Sequence, residues 1–324
     1  MSITAIVPVW NGRDLLAKLM DSLDAQTLRP DEVIIVDNGS TDGAPDLARD
    51  RGARVIAMGR NAGFAAAVNR GIREARTELI AVLNSDVELE RDYLKTLAAT
   101  EAWFSTGKIL AARERPKRFI DATFDAVCRG GTARRIGNGR PDGPAFSEPR
   151  SISSPPWTAV LFKAELFQRV GLLEECFESY LEDVDFGLRC AAAGLRGAYL
   201  PDAVAWHVGS ASLGEWHADT VRRITRNQIF LLARHYSRGA LMRCWWPIVV
   251  AQMLWCAMAA SRGRGAAWMR GVREGFESAP AALASCEILV QQLVENEKLI
   301  YASQSATGFD TYWRLYFLLT RGAV

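Results

Sequence analysis

The sequence is poor in histidine, has no excess charge of either sign and contains no paired cysteines. Its 39 basic and 37 acidic side chains give a net charge of +2, which argues against nucleic acid as a partner because nucleic-acid-binding domains are usually clearly basic. The six cysteines are scattered, without a C-x-x-C pair or a histidine at metal-binding spacing. In a chain of 324 residues this pattern favours reduced thiols over a disulfide framework.

Signals that would define other classes of protein are also lacking. The chain enters a strand-like segment at Ile3 without the basic start, apolar middle and cleavage site of a signal peptide, so we expect a cytoplasmic protein. No G-x-G-x-x-G follows that segment, which disfavours a dinucleotide dehydrogenase. The residues that do follow, 9–13, only poorly match the glycine-rich, basic phosphate loop of a nucleotidyltransferase.

The first hundred residues alternate between strand and helix patterns. Four apolar, strand-like segments are separated by three segments that place apolar residues on one helical face. This alternation predicts an α/β fold with a doubly wound, mainly parallel sheet, in which ligands bind beyond the carboxyl ends of the strands. The strands are predicted at 3–9, 32–36, 54–58 and 79–83, and the helices at 13–25, 44–51 and 64–75.

The remainder of the chain divides into an irregular part and a helical part. Residues 113–156 are rich in Arg, Gly and Pro, and we expect an irregular loop or lid there. A helix at 183–193 and a last strand at 199–207 follow, and beyond about Gly214 only helices are predicted, at 219–236, 241–260, 266–276 and 282–299. We therefore expect an α/β domain over 1–213 and a helical C-terminal extension over 214–324.

Acidic residues stand where predicted strands end. Asp37 and Asp86 each follow a buried apolar strand, and His207 ends the last strand. A carboxylate at a strand end is a suitable ligand for Mg²⁺ or Mn²⁺, although Asp86 is equally suited to capping a turn. The acidic run at 182–185 opens a helical pattern, where Asp183 is either a general base or an ordinary helix N-cap.

Five motifs, taken together, resemble family 2 glycosyltransferases of the GT-A fold, and more narrowly the rhamnosyltransferase-like members. They cover roughly residues 1–235 and occur in the family's order. The resemblance implies transfer of a sugar from a nucleotide diphosphate donor. The motifs are Val7-Pro8-Val9-Trp10-Asn11-Gly12, Val36-Asp37-Asn38-Gly39-Ser40-Thr41-Asp42-Gly43, Asn61-Ala62-Gly63-Phe64-Ala65, Leu83-Asn84-Ser85-Asp86 and Glu182-Asp183-Val184-Asp185-Phe186.

The resemblance assigns roles to individual positions. It implies that Asp86 is the main protein ligand of the metal, because Asn84 replaces the first carboxylate of the family's DxD-type motif. His207 is implied to complete the metal site, although a lone histidine after an apolar strand is more often structural. Asp183 is implied to be the catalytic base, with Glu182 beside it. The residues implied on the nucleotide side are Pro8, Trp10, Asp37, Asn61, Asn69 and Ser85, of which Asn61 and Asn69 are alternatively structural.

Two further residues are expected at the sugar pocket. Trp157 stands where relatives carry a small-residue turn, and its ring either stacks on the sugar or belongs to the core. Asp185 either lines the pocket, positions Asp183 or holds Arg189. No role is predicted for His217 or His235.

The stretch 241–262 raises the question of a membrane. It holds an uncharged run between Arg243 and Arg262 that contains three tryptophans. The run is near the lower limit for a spanning helix and is interrupted by a proline and a glutamine, so a helix lying in the headgroup layer is the favoured interpretation. A buried or homodimer contact is the alternative. The first interpretation places the protein peripherally on the inner face of the cell membrane.

The expected activity is therefore inverting sugar transfer in cell-surface polysaccharide synthesis. The donor would be a dTDP- or UDP-linked sugar, with rhamnose as the best guess, and the acceptor a hydroxyl of a glycan or lipid-linked molecule. Mg²⁺ or Mn²⁺ would neutralise the leaving diphosphate. The alternatives are a nucleotidyltransferase, and a glycan- or lipid-binding protein on a degenerate transferase fold, which retention of Asp86 and Asp183 argues against.

Overall fold

A computed structural model describes residues 1–209, 216–278 and 287–321, which form twelve strands and eleven α-helices. The strands are β1 (Ile3–Val9), β2 (Glu32–Asp37), β3 (Arg54–Ala57), β4 (Leu79–Leu83), β5 (Val87–Leu89), β6 (Phe104–Ala111), β7 (Ile120–Ala122), β8 (Asp125–Val127), β9 (Ala133–Arg135), β10 (Arg150–Ile152), β11 (Ala159–Lys163) and β12 (Gly197–His207). The helices are α1 (Arg13–Asp24), α2 (Ala44–Asp50), α3 (Phe64–Glu74), α4 (Tyr93–Ala98), α5 (Glu165–Val170), α6 (Glu182–Ala192), α7 (Ala218–His235), α8 (Arg238–Ser261), α9 (Gly265–Ser278), α10 (Val290–Thr307) and α11 (Thr311–Thr320).

The predicted α/β fold with a helical C-terminal region is confirmed. The main sheet has the strand order β10-β12-β6-β11-β4-β1-β2-β3, with β5 and β7 added at its side. Strands β3, β2, β1 and β4 are parallel, and β11 runs against both β4 and β6. Because β12 is parallel to β6, six strands, β1 included, point in one direction. Their carboxyl ends, including those of β2, β4 and β12, therefore meet at one edge of the sheet.

Strand β1 shows why the apolar runs become central strands. Its neighbouring residues point to opposite faces, and both faces are covered, so Ile6 packs into one hydrophobic cluster while Ala5 and Val7 pack into the other. A strand buried on both faces needs a continuous apolar sequence rather than an alternating one. That requirement explains the segment from Ile3 to Val9.

Residues 113–156, for which the sequence predicts an irregular loop or lid, contain four short strands. Strands β8 and β9 pair with each other as an antiparallel hairpin, and β7 and β10 pair with the main sheet. Buried side chains such as Ile120, Phe124 and Phe146 anchor the segment in the core. The segment is thus built into the domain, with charged residues at the end of the β8–β9 hairpin nearest the sheet.

The C-terminal helices pack on the tip of that hairpin. The backbone N and Nε of Arg129 each donate to the fully buried Glu297 of α10 at 2.8 Å. Tyr316 of α11 donates to the same carboxylate at 2.6 Å and accepts from the Gly130 backbone N at 3.1 Å. A Cβ at Gly130 would lie 2.8 Å from the carbonyl oxygen of Pro247 in α8, so only glycine permits this approach.

The limits of the predicted C-terminal elements differ from those observed. Helices α7, α8 and α9 begin and end within three residues of the predicted limits. The predicted boundary between 213 and 214, and the start of the helix predicted at 282–299, lie outside the described residues. Among the described residues that helix runs from Val290 to Thr307, and a further helix, α11, was not predicted.

Glu297→Gln should lower the free energy of unfolding by about 2 kcal/mol, because the amide keeps the shape of the side chain but removes the charge that Arg129 and Tyr316 contact. Chemical denaturation of the whole chain measures the change. Glu295→Gln, exposed on the same helix, is the matched control and should stay within about 0.5 kcal/mol of the unsubstituted protein. Equal effects of the two substitutions would contradict the anchoring role of Glu297.

Candidate active site

The loops after β1, β2 and β3 are held together by side-chain amides and hydroxyls. Asp37, at the end of β2, accepts a hydrogen bond from the Ser40 backbone N at 2.9 Å. Asn38 donates to Asn61 at 3.1 Å and accepts from the Ala62 backbone N at 2.9 Å. This network fixes the polar loops at the carboxyl edge of the sheet, where the predicted nucleotide-side residues Asp37 and Asn61 lie.

Three other predicted nucleotide-side residues lie at the same edge. Pro8 is half-buried near the end of β1, and Trp10 follows it with 43% of its surface exposed. Ser85 is half-buried in the turn between β4 and β5. Their positions leave these side chains accessible to a ligand, and their contact with a nucleotide stays a prediction.

Asp86 and His207 meet at this edge although 121 positions separate them in the sequence. The His207 Nε2 lies 3.2 Å from Asp86 Oδ1, and the Asp86 carbonyl accepts from the Val208 backbone N at 3.1 Å. The other ring nitrogen, Nδ1, lies 2.9 Å from Oδ2 of Asp121 in β7. Burial alone would lower the pKa of His207, but its contacts with Asp121 and Asp86 raise that pKa to about 9. Asp121 thus orients the ring, a role that the sequence did not reveal.

With the His207 proton released, Asp86 and His207 form a donor set that suits a divalent cation. Cis ligands of an octahedral Mg²⁺ or Mn²⁺ site, each about 2.1 Å from the ion, lie about 3.0 Å apart, close to the observed separation. A histidine whose second nitrogen contacts a carboxylate is the usual arrangement of a metal ligand. Within the described ranges no group of three or more His, Cys, Asp or Glu side chains could hold a metal ion. Asp86 and His207 are therefore the two candidate metal ligands that the described residues bring together at this edge.

Glu182 and Asp183 form the first turn of α6, next to a strained turn. Glu178, Tyr180 and Leu181 all have positive φ, between 60° and 73°, which costs about 1–3 kcal/mol per residue and persists only when neighbouring contacts enforce it.

Asn227 of α7 supplies those contacts to the turn. Its amide nitrogen donates to the carbonyls of Phe177, Ser179 and Tyr180 at 2.7–3.1 Å. On the other side Gly63 approaches so closely that a Cβ would lie 2.9 Å from the Glu178 carbonyl oxygen. The turn and the acids after it are therefore fixed from both sides.

Glu182 is shielded from water, and its neighbour Asp183 is partly exposed. One Glu182 oxygen is buried without a hydrogen-bond partner, and burial together with the neighbouring Asp183 charge raises the pKa of Glu182 well above its usual value. Burial also raises the pKa of Asp183, against the opposing charge of Arg135. Asp183 itself is half-buried and accepts from the Val184 backbone N at 2.8 Å. A half-buried carboxylate with a raised pKa has the properties of a general base that works near neutral pH.

Asp125 and Arg135, paired across the base of the β8–β9 hairpin, are the second set of residues that the sequence did not reveal. Arg135 lies 3.8 Å from Asp125 and 3.9 Å from Asp121, so one guanidinium serves several carboxylates. Asp125 is buried with one oxygen unpartnered. Burial, opposed by Arg135 and reinforced by Asp183 and Asp121, raises the pKa of Asp125 to about 7.

Trp157 and Asp185, both considered for the sugar pocket, are buried. Trp157 is 2% exposed and packs against Phe162 and Phe186 with ring centroids 4.6 and 5.0 Å away, so its faces are covered by the core. Asp185 is fully buried and contacts Arg189 at 3.0 Å and His235 at 2.8 Å. The alternatives of a core tryptophan and of an aspartate that holds Arg189 are the ones that the geometry supports.

Asn69 and His235 also have structural contacts. The Asn69 amide nitrogen donates to the Leu173 carbonyl at 2.8 Å and its oxygen accepts from the Leu173 backbone N at 3.0 Å, so the buried side chain pins a loop instead of facing a nucleotide. His235, for which no role was predicted, connects α7 to α6 through Asp185.

Asp125→Asn should change how stability depends on pH. Because the pKa of Asp125 is about 7 in the folded state and near 3.9 when unfolded, the folded state binds more protons between these values and loses stability as pH rises. The amide removes that loss, so the substituted protein should melt at a higher temperature than the unsubstituted one at pH 8 and at a similar temperature at pH 4. The substitution should raise the free energy of unfolding at pH 8 by at most about 4 kcal/mol.

Asp142→Asn is a control of opposite sign. Burial alone would raise the pKa of Asp142, but the hydrogen bonds and charges of Lys108 and Arg118 lower it overall. The contribution of Asp142 to stability is therefore present at neutral pH and is lost as pH falls below the usual range of an aspartate. This substitution should therefore lower the melting temperature at pH 7 and have little effect near pH 3. The rise in melting temperature that Asp125→Asn causes should be larger at pH 8 than at pH 4. An equal or smaller rise at pH 8 would contradict a buried charge at Asp125.

Comparison with known proteins gives similar sequences and folds. N-acetylglucosaminyl-diphospho-decaprenol L-rhamnosyltransferase of Mycobacterium tuberculosis is 27% identical over 274 residues, covering 75% of this chain and 87% of that protein. The structure of GalNAc-T7 with UDP, GalNAc and Mn²⁺ superposes with a TM-score of 0.63 at 13% identity, covering 95% of this chain and 58% of that one. The S. aureus TarS 1–349 complex with UDP-GlcNAc gives a TM-score of 0.55 at 16% identity, covering 99% and 92%.

The structural matches establish a GT-A type fold, and the sequence matches establish the family. Residues 4–164 match the model of glycosyl transferase family 2. The matched range contains β2 to β4, all of β1 except its first residue, and Asp86. The chain therefore belongs to glycosyltransferase family 2 and is rhamnosyltransferase-like.

Proposed function

We propose that this glycosyltransferase moves a sugar from a nucleotide diphosphate donor to an acceptor hydroxyl, with inversion at the anomeric carbon and with a divalent cation. The observation that carries the proposal is the convergence of Asp86, His207 and the acidic start of α6 at the carboxyl edge of the sheet. That edge is where α/β folds bind ligands.

The donor nucleotide would lie over the ends of β1 and β2. Asp37 would accept a hydrogen bond from the base, and Pro8 and the exposed ring of Trp10 would wall the base pocket. The diphosphate would then extend toward Asp86, which follows β4, the strand next to β1. In this arrangement Ser85 lies on the diphosphate side of the cleft.

Asp86 and His207 would hold Mg²⁺ or Mn²⁺ against the diphosphate. The bound cation would neutralise the charge that develops on the leaving group. Asp121 contributes by keeping the His207 ring turned so that Nε2 faces Asp86. The presence of Mn²⁺ with UDP in the GalNAc-T7 structure supports the choice of ion for a cleft of this fold.

Asp183 would accept the proton of the acceptor hydroxyl as its oxygen attacks the anomeric carbon. Attack opposite to the leaving diphosphate breaks the old glycosidic bond as the new one forms, which inverts the configuration. Glu182, buried beside Asp183 with a raised pKa, would stay protonated and keep a second negative charge away from the base.

The likeness to the mycobacterial enzyme supports the choice of donor sugar and acceptor. Its name describes transfer of L-rhamnose to an N-acetylglucosaminyl-diphospho-decaprenol acceptor. We infer a rhamnosyl donor, linked to dTDP or UDP, and a glycan or lipid-linked acceptor used in cell-surface polysaccharide synthesis. Thermal stabilisation by a panel of nucleotide sugars, with and without Mn²⁺, identifies the donor.

Asp183→Asn should lower kcat at least about a hundredfold while donor affinity changes less than about twofold, because the amide keeps the shape but cannot accept a proton. Steady-state kinetics and calorimetry with the identified donor measure the two effects. Asp202→Asn, exposed in the middle of β12, is the control and should leave kcat unchanged. Retention of more than a tenth of the activity by the Asp183→Asn protein would assign the base to another carboxylate.

Nucleotide diphosphate should bind at least about tenfold more tightly with Mg²⁺ or Mn²⁺ than with chelator, because two protein ligands and the phosphates share the ion. Calorimetry with UDP and dTDP gives the ratio. Asp86→Asn should abolish the metal effect, whereas Asp46→Asn on the exposed face of α2 should preserve it. Equal affinity of the unsubstituted protein in both conditions would remove the metal from the mechanism.

A further inference from the structure

Helix α8 carries a stripe of large apolar side chains that face solvent. Met242 is 72% exposed and Trp245 is 61% exposed, and the exposed positions recur at helical spacing along the helix. Isolated apolar residues on a surface are normal, but a continuous apolar stripe marks a contact site. Its members are Met242, Trp245, Trp246, Val249 and Met253.

Helix α11 adds a second stripe beside the first. Its exposed residues Leu315, Leu318 and Leu319 lie on one helical face, with Leu318 72% exposed. The Trp246 Nε1 donates to the Leu319 carbonyl at 2.9 Å, so the two stripes are adjacent. Together these eight residues form what we call the α8–α11 surface.

The opposite face of α8 is occupied by the rest of the protein. Cys244, Pro247 and Ala251 are buried, and Trp255 donates from its buried indole to Thr225 of α7 at 2.8 Å. Trp255 is therefore not part of the exposed surface, unlike Trp245. The helix is long and apolar enough to cross a membrane by composition, but its packed face favours contact along its length.

The charged residues within helices α8 and α11 are all basic. Neither α8 nor α11 contains Asp or Glu, and four exposed arginines lie at or beside the stripes. Within the described part of the chain none of them has an acidic partner within 4.0 Å. They are Arg238, Arg243, Arg314 and Arg321.

We propose that the α8–α11 surface lies in the headgroup layer of an anionic lipid bilayer. Indole rings and aliphatic side chains flanked by arginines suit that layer, and each arginine near an anionic membrane adds attraction. A second copy of the chain fits less well, because a two-fold contact brings the same patch together and would oppose arginines without acids to pair them.

This proposal rests on the proposed function, because a lipid-linked acceptor is presented at a bilayer. Helices α8 and α11 contact the tip of the β8–β9 hairpin at Gly130, and Asp125 stands at its base beside the catalytic acids. The hairpin therefore connects the helices of this surface to the residues beside the proposed catalytic acids.

Flotation of the whole chain with vesicles, without nucleotide, tests the surface. The protein should float with phosphatidylcholine vesicles that contain phosphatidylglycerol and bind pure phosphatidylcholine more weakly. The substitutions W245S and L318S together should weaken binding at least about tenfold. R243E with R314E should do the same on anionic vesicles, whereas R29E with R91E, an equal charge change at exposed arginines outside the surface, should have less than about a twofold effect.

A second readout locates the contact. Lipids brominated on their acyl chains should quench part of the tryptophan emission, and W245F with W246F should remove most of that quenching even where flotation is unchanged. A stable two-chain species in light scattering with no flotation, or retention on vesicles after alkaline carbonate extraction, would overturn the proposal in favour of a dimer or a span. Because no nucleotide is present, flotation with failed donor binding would count against the proposed function alone.

Discussion

The hydrogen bonds from one buried amide hold the turn that precedes the proposed catalytic acids. Asn227 donates to three carbonyls of a segment in which three residues adopt positive φ, and that segment decides where Glu182 and Asp183 stand. Without such contacts the segment would relax to an ordinary backbone and move the acids. Since Asn227 belongs to α7, the helical C-terminal region is part of the machinery of the α/β domain.

The β8–β9 hairpin also depends on the C-terminal helices for its position. Its base contributes Asp125 and Arg135 to the acidic cluster, and its tip is fixed by Glu297 and Tyr316 from the last two helices. This cluster, Asp121, Asp125, Glu182 and Asp183 around Arg135, holds more carboxyl groups than cationic ones in a largely buried site, an arrangement that costs stability and supplies proton acceptors. The contacts at the tip keep the hairpin in place against that repulsion.

The sequence predicted the sheet from β1 to β4, its carboxyl edge and the Asp86–His207 pair because long apolar runs and ordered motifs carry those signals. It could not predict Asp121, Asp125 and Arg135, since they lie on strands of three residues, too short to show a period. The choice among the alternatives for Asp185 had a usable signal. Residues two apart on a helix point to nearly opposite sides, so a helix that presents Asp183 to the cleft turns Asp185 into the core. Whether Trp157 faces the core or a cleft depends on packing between distant segments.

The long sequence separation between Tyr316 and the nucleotide-side residues has a consequence for biosynthesis. Chains emerge from the ribosome from the N-terminus, and Asp37, at the end of β2, and Asp86, which follows β4, precede α11 by more than two hundred residues. The Tyr316 hydroxyl, which accepts from Gly130 at the hairpin tip and donates to Glu297, reaches the tip only when α11 has been translated and has docked. A nascent polypeptide therefore has its nucleotide-side loops well before the acidic cluster gains its final support, and translation itself delays assembly of the complete cleft.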